Sequence, residues 1–408
     1  MSAAYRSLHI NTSRDLMAYK TFPMPRDYPD YPSHWQIAKY FDDYVDHFGL
    51  REQIRFNTEV RRATHAGGSW QVTLDDGTTH SYRALLVCNG HHWSPRWPEP
   101  PFPGEFHGEQ MHAHAYDTPD VLEGKRVVVL GIGNSACDIA VESSRVAERT
   151  FIAMRRGAYV IPKYMLGKPT DETSSPGFSR MPLAVQRSVM AGMLRTAQGK
   201  MTDYGLPQPD HKLLEAHPTV SSELLPRLGH GDIEVKPNIL QLEGDEVRFV
   251  DGTSERADLI VYCTGYKIDF PFFDEGFISA PDNRIPLYRR VVSPQHPGLF
   301  FIGLIQPLGA IMPLAEAQAE WVADVLSGSA KLPTPRRMRT VIEREDKRMA
   351  QRYVASKRHT IQVDFHPYLR TIQKERKRRR RTSILPAVLA ERSHELRLAG
   401  RQGSRSAG

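Results

Sequence analysis

The sequence predicts an α/β fold built around parallel sheet, and three observations carry that prediction. Residues 125–154 read as strand, glycine turn, helix and strand. The runs 84–88 and 259–263 are continuously apolar, as in strands buried inside a sheet. A further strand–helix pair follows at 299–326. The chain has 408 residues, enough for two or three domains with sizeable cores. Hydrophobic residues make up 40% and charged residues 25%, the composition of a soluble globular protein. No apolar run approaches membrane-spanning length and no signal peptide opens the chain, so a cytoplasmic protein without a membrane anchor is expected.

Taken in order, residues 1–30 are polar and rich in proline, which implies extended chain and turns. Ser33 is a candidate N-cap for a helix through Ile37, Tyr40, Phe41, Tyr44, Val45 and Phe48, an apolar stripe that Gly49 can stop. Strands are expected at 53–60 and 69–74, with Asp76-Gly77 as a tight turn after the second. The run Ala84–Cys88 is expected to be a strand buried on both faces. From Ile233 the β pattern returns, with an Asp251-Gly252 turn, and a helix is expected from Pro313 to Leu326. Residues 167–230 mix Pro, Gly and polar clusters and yield little.

Three cysteines, Cys88, Cys137 and Cys263, lie far apart with no CxxC pair. This argues against a disulfide framework, a metal site or a redox dithiol, and for small buried residues. The net charge of +7 is concentrated in Lys374–Arg381. That run is expected to be a solvated helix end leading to a tail, and no nucleic-acid partner is expected.

Gly131-Ile132-Gly133-Asn134-Ser135-Ala136 directly follows the strand 125–130 and opens a helix. The first glycine permits the tight turn, and the second lets backbone approach a pyrophosphate stabilised by helix N-terminal amides. A GxG alone is weak, but here the strand–turn–helix–strand context is present, and dinucleotide binding follows. An NAD site would place a carboxylate at the end of the second strand. This chain has Arg155 and Arg156 there, and guanidinium groups suit the 2′-phosphate of NADP. Which arginine does more is open.

Phe106, Gly108, His112 and Tyr116 match the FxGxxxHxxxY fingerprint of flavin-containing monooxygenases, just upstream of the glycine turn. Tyr116-Asp117 resembles the N/S-oxygenating branch more than the Baeyer–Villiger enzymes. Tyr5-Arg6-Ser7-Leu8 through Asn11 resembles that family's YxSLxxN stretch, and Tyr262-Cys263-Thr264-Gly265-Tyr266 its ATGY motif. Phe300–Gln306 resembles the strand under its flavin. The resemblance runs from about Tyr5 to Leu369. It implies two Rossmann-like domains of the glutathione-reductase type. Residues 1–117 and 225–330 would form the flavin domain, residues 118–224 the NADP domain, and residues 331–408 a helical extension with a basic tail.

The same resemblance implies FAD and NADPH as cofactors, with O₂ and a small-molecule nitrogen or sulfur nucleophile as substrates. Oxygen transfer would proceed through a flavin C4a-hydroperoxide. Asn11 would hold that intermediate and NADP⁺ by hydrogen bonds. Gly131, Gly133, Asn134, Ser135, Ala136, Arg155, Arg156, Thr264, Gly265, Gly303 and Gln306 would contact cofactor, and the helix from Pro313 would aim its positive end at the flavin ring. Phe106, Gly108, His112 and Tyr116 would link the two domains. No metal is required, and a homodimer is compatible with the family.

Members of that family begin with a strand, a GxGxxG turn and a helix that hold the ADP half of FAD. Here the first glycine is Gly49, so the FAD domain is expected to be incomplete at its N-terminus. A start assigned too late is the preferred explanation, ahead of a natural truncation or a protein that borrows the missing part. The 408 residues are accordingly expected to hold FAD poorly. The alternative function is a non-catalytic NADP-binding protein. A thioredoxin-reductase-like enzyme is disfavoured by the absence of CxxC.

Overall fold

A computed structural model of the chain describes residues 4–173, 177–278, 280–352 and 360–378. Helix α1 (His34–His47) begins as expected at Ser33. The Ser33 hydroxyl accepts from the Gln36 amide, and the Gln36 side chain accepts from the Ser33 amide, satisfying two donors reciprocally. The expected apolar stripe is narrower than its spacing suggested. Tyr40 is fully buried, while Phe41 and Phe48 remain about 40% exposed (41% and 43%). Tyr40 joins the cluster of Met17, Met24, Ala310 and Met312, and Ile37 packs against it.

The strand expected at 53–60 is not formed. Arg51–Gln53 is a 3-10 turn, and β1 starts at Val60 (Val60–Ala66). Asn57 at φ +50 and the Thr58 hydroxyl donating to the Phe56 carbonyl bend the chain there. Strands β1, β2 (Ser69–Leu74) and β3 (Thr79–Tyr82) form an antiparallel meander. β4 (Leu85–Val87) corrects a second expectation. It pairs with a strand on one side, Leu86 is 40% exposed, and Cys88 is exposed instead of buried. An apolar run signals two buried faces, but burial also needs a neighbour at each edge.

β5 (Gly104–Phe106) and β6 (Glu109–His112) lead into β7 (Arg126–Leu130), α2 (Asn134–Val146) and β8 (Arg149–Met154). Helix α3 (Leu183–Gln198) lies in the long segment that follows, before β9 (Glu234–Pro237). β10 (Ile239–Gly244), β11 (Glu246–Phe249) and β12 (Ser254–Arg256) then precede β13 (Leu259–Tyr262). The central sheet is all parallel in the order β9-β8-β7-β13-β6. It therefore takes strands from the segments expected in the flavin domain, so the boundaries at 117/118 and 224/225 do not follow the sheet. Backbone pairing, which the glycine motif does not encode, decides membership.

Alternation along Val127–Leu130 of β7 explains why that stretch is all apolar. Val127 and Val129 face α2, where Ala136, Ile139 and Ala140 are fully buried. Val128 and Leu130 face the sheet β12-β11-β10-β5, against Ile239, Val247 and Phe249. Each such side chain contributes roughly 1.5–3 kcal/mol by burial.

β14 (Leu299–Phe301) pairs in parallel with β4. β15 (Gln306–Leu308) then precedes α4 (Met312–Leu326) and α5 (Pro335–Arg352). β16 (Gln362–Asp364) pairs in parallel with β15 and leads into α6 (Phe365–Arg376), which packs on α4. The basic run is partly engaged instead of solvated, because Arg376 pairs with Glu320 and with Asp324 of α4. Residues 379–408, with the rest of that run, lie outside the described residues.

Candidate functional site

The glycine turn between β7 and α2 is built for close approach. Gly131 has φ +140, and a Cβ there would stand 2.7 Å from the Cys263 carbonyl oxygen. Gly133 is the N-cap of α2 and carries no side-chain cap. The first amides of a helix have no intrahelical acceptor, so those of Asn134, Ser135 and Ala136 point out of the turn toward any anion placed there. Ala136 is fully buried, and its small side chain lets α2 sit close to the sheet.

The Asn134 side chain has a different task from the expected one. Its Oδ1 accepts from the Val220 amide at 2.9 Å, while the Thr219 hydroxyl donates to the Ile132 carbonyl. Asn134 thus clasps residues 219–220 against the turn. Past β8, Arg155 and Arg156 are both exposed. Arg156 Nε lies 3.5 Å from Asp210, whereas Arg155 has no ion-pair partner among the described residues. Arg155 is therefore the freer guanidinium.

The fingerprint residues each make a definable contact. A Cβ at Gly108 would lie 2.6 Å from the Asp258 carbonyl and 2.7 Å from the Phe106 ring, so that ring packs where a side chain would be. His112 Nδ1 accepts from the His114 amide, which leaves Nε2–H to donate to the Gly265 carbonyl at 3.1 Å. The Tyr116 hydroxyl donates to Glu142 of α2 at 2.6 Å, and its ring packs on Tyr5 with centroids 5.8 Å apart. Tyr5 in turn donates to Asp138 of α2 at 2.5 Å.

The Thr264 hydroxyl donates to the Arg96 carbonyl, and the Arg96 amide donates to Gly265. The two residues therefore fasten the strand crossing, and their side-chain and carbonyl groups are spent there. Gly303 departs from its expected role in a similar way. Its amide donates to the Gln318 side chain at 2.8 Å, Gln318 Nε2 donates to the Tyr368 hydroxyl, and Tyr368 donates to the Arg289 carbonyl. Gln318 is fully buried, so this clasp links the turn after β14 to α4 and α6.

Gln306 lies in β15 directly opposite Gln362 of β16, and the Gln306 amide donates to Ile361. Gln362 is 2% exposed, and both polar atoms of its amide are buried without a partner. A buried amide left so is costly unless a ligand completes it. Sequence reasoning passed over Gln362. The available signal was a glutamine inside an otherwise strand-like TIQV.

Asn11 is half-buried in the segment 5–14. Ile10 donates to Pro32, His34 donates to Leu8, and the Ser13 amide donates to Asp171 Oδ2 at 2.6 Å. Burial, with His92 nearby, pushes His91 down to about 3. Burial also pushes His112 down to about 4, against the opposing bond to Gly265. The Cys263 thiol is pushed well above its ordinary value, so it is no thiolate nucleophile. No group of three or more His, Cys, Asp or Glu side chains among the described residues could hold a metal.

The family model described as flavin-binding monooxygenase-like matches residues 1–387. The chain is 37% identical over 382 residues to flavin-containing monooxygenase 5 of Oryctolagus cuniculus, covering 89% of this chain and 71% of that one. It is 35% identical over 387 residues to dimethylaniline monooxygenase [N-oxide-forming] 2 of Mus musculus, covering 90% and 72%. Among solved structures it resembles the S-allyl-L-cysteine S-oxygenase of Allium sativum, with a TM-score of 0.67 and 27% identity over 92% of this chain and 75% of that one. A cyclohexanone monooxygenase shares the fold at a TM-score of 0.69 and 17% identity, covering 91% and 89%.

Proposed function

This chain belongs to the flavin-containing monooxygenase family, and on that premise we propose that it oxygenates a soft nitrogen or sulfur centre of a small molecule with O₂. Its cofactors are FAD and NADPH. Bound flavin supplies the redox chemistry, accepting hydride from NADPH and activating oxygen.

The residues present fit the dinucleotide. The glycine turn and the α2 amides would hold its pyrophosphate, and Arg155 the 2′-phosphate. They also fit the flavin ring, whose edge carries both donors and acceptors of the kind the buried Gln362 amide lacks. Gln306 stands beside it in the strand register, and Pro313 lies in the first turn of α4. Asn11 would donate from its amide toward the reacting edge of the ring. The remaining work of the chain is to orient the two cofactors and exclude water.

The observation that carries this reading is the run of contacts from the Asn11 segment through Tyr5 and Tyr116 to Asp138 and Glu142 of the NADP-binding helix. A soft nucleophile needs no proton donor or base to be oxygenated. His91 and His112, which burial pushes toward the neutral form, and the Cys263 thiol, which burial keeps protonated, are consistent with that demand. The relatives named for N-oxide formation and S-oxygenation support the same substrate class.

The test is a panel of a tertiary amine, a thioether and a cyclic ketone given to the FAD-loaded enzyme with NADPH and ¹⁸O₂. An N-oxide or sulfoxide carrying one ¹⁸O is expected, with the ketone turned over slowest. Lactone from the ketone with no N- or S-oxide would overturn the reading.

A further inference from the structure

We infer that Asp171, in the NADP-side segment, is a positioning residue that fixes Asn11 and thereby controls how much reduced flavin is spent on substrate instead of being lost as hydrogen peroxide. The inference rests on the role proposed for Asn11. Among the described residues, contacts between residues 5–34 and that side include three groups. Tyr5 reaches Asp138 of α2. Tyr31 donates to the Lys163 carbonyl, with the Lys163 ammonium 5.1 Å from its ring centroid, and Tyr164 donates to Asp30. The third contact is the one nearest Asn11, from the Ser13 amide to Asp171 Oδ2.

That bond is short for an N–H···O pair at 2.6 Å, and its donor residue, Ser13, is only 2% exposed. Ile10 and Arg14 to either side donate to Pro32 and Asp30 within the N-terminal segment, whereas the Ser13 amide, two residues from Asn11, reaches the opposite side. Asp171 itself is held by a compact loop. Thr170 donates through its amide to Lys163 and through its hydroxyl to Pro162, which follows the buried Val160-Ile161 strand. The carboxylate therefore stands on the body that carries the nicotinamide cofactor.

A carboxamide placed about an ångström off its productive position loses most of its effect on a developing charge. Freeing Ser13 would leave NADPH binding at the glycine turn, and with it flavin reduction, untouched while loosening Asn11. The electrons would still reach O₂, which would leave as H₂O₂ after taking two electrons and two protons, and the substrate would remain unoxidised.

The experiment compares Asp171→Ala, Asp171→Asn and Asn11→Asp in the FAD-loaded enzyme with NADP⁺ present. Backbone hydrogen exchange at Ser13 is read by NMR or mass spectrometry, alongside flavin reduction rate and H₂O₂ per NADPH. In Asp171→Ala, Ser13 exchange should quicken at least tenfold and the peroxide fraction rise severalfold, with flavin reduction within twofold of the parent. Asp171→Asn keeps an acceptor oxygen and should restore both protection and coupling.

Unchanged Ser13 exchange in Asp171→Ala, or full coupling despite faster exchange, overturns the inference. An Asp171→Asn as uncoupled as Asp171→Ala does so too. A fully coupled Asn11→Asp would instead sink the role of Asn11, and Ser13 exchange would still report whether the anchor exists.

Discussion

Gly131 and Gly303 both lie just after a parallel strand and both have positive φ (+140 and +75), the first opening α2 and the second leading to β15, and the molecule uses them oppositely. At Gly131 the space beside Cα is filled by the Cys263 carbonyl, and the helix amides beyond it are free to meet a ligand. At Gly303 nothing stands within 4 Å of a would-be Cβ, and the amide is already satisfied by buried Gln318. The first glycine makes a cradle. The second makes a bend that the protein holds for itself. A glycine near a cofactor is therefore a ligand contact when its neighbours leave amides unspent, and a hinge point when they do not.

The sharpest way to break that contrast is Gly131→Ala. The added methyl meets backbone, which cannot swing aside, at a φ that L-residues rarely adopt. NADP⁺ affinity measured by calorimetry should fall on the order of 100-fold, about 2.7 kcal/mol. Binding within twofold of the parent would show that the cradle tolerates a side chain.

The next effect sharpens the cradle at its far end. Replacing Arg155 and Arg156 together with Gln should weaken NADPH roughly 10–100-fold more than NADH, the range expected from losing charge-assisted bonds to a phosphate. Because Arg156 is already near Asp210, Arg155→Gln alone should account for most of the loss. Equal losses for both coenzymes would remove the arginines from 2′-phosphate recognition.

How much of this was legible in the sequence follows from the range of each interaction. The cap at Ser33, the turn at Gly131 and the strand–helix–strand around it depend on residues a few positions apart, and they appear where expected. The strand expected at 53–60 failed on a local detail, the positive φ of Asn57. Burial of Leu86 failed because a strand cannot announce how many neighbours it has. The roles of Asn134, Gly303 and Asp171 are set by Val220, Gln318 and Ser13, which lie 86, 15 and 158 positions away. No pattern within the glycine motifs or the segment 167–230 could reveal those partners.

On the Gly303 side the contrast is tested first through Gln318. Gln318→Ala strips the acceptor from the Gly303 amide and a donor from the Tyr368 hydroxyl, both inside a closed cluster of α4, α6 and the turn after β14. Unsatisfied groups of this kind cost about 1–3 kcal/mol each. Denaturant unfolding should show a loss in that range, with NADP⁺ affinity unchanged.

The smallest expected effect is Gly303→Ala, and it discriminates best between a cradle and a bend. No atom within 4 Å opposes the methyl, so the whole cost is the backbone preference of an L-residue against φ +75. That preference is worth roughly 1–2 kcal/mol. The bond from the residue 303 amide to Gln318 uses backbone alone and survives the substitution, which keeps the bend in place. Gly303→Ala should therefore lower unfolding stability by about 1 kcal/mol and leave flavin content and NADP⁺ affinity at parental values. Gly131→Ala, by contrast, should lose the nucleotide. Release of flavin from Gly303→Ala at unchanged fold stability would mean that the turn meets the flavin directly after all, and that its capped amide is not the measure of its use.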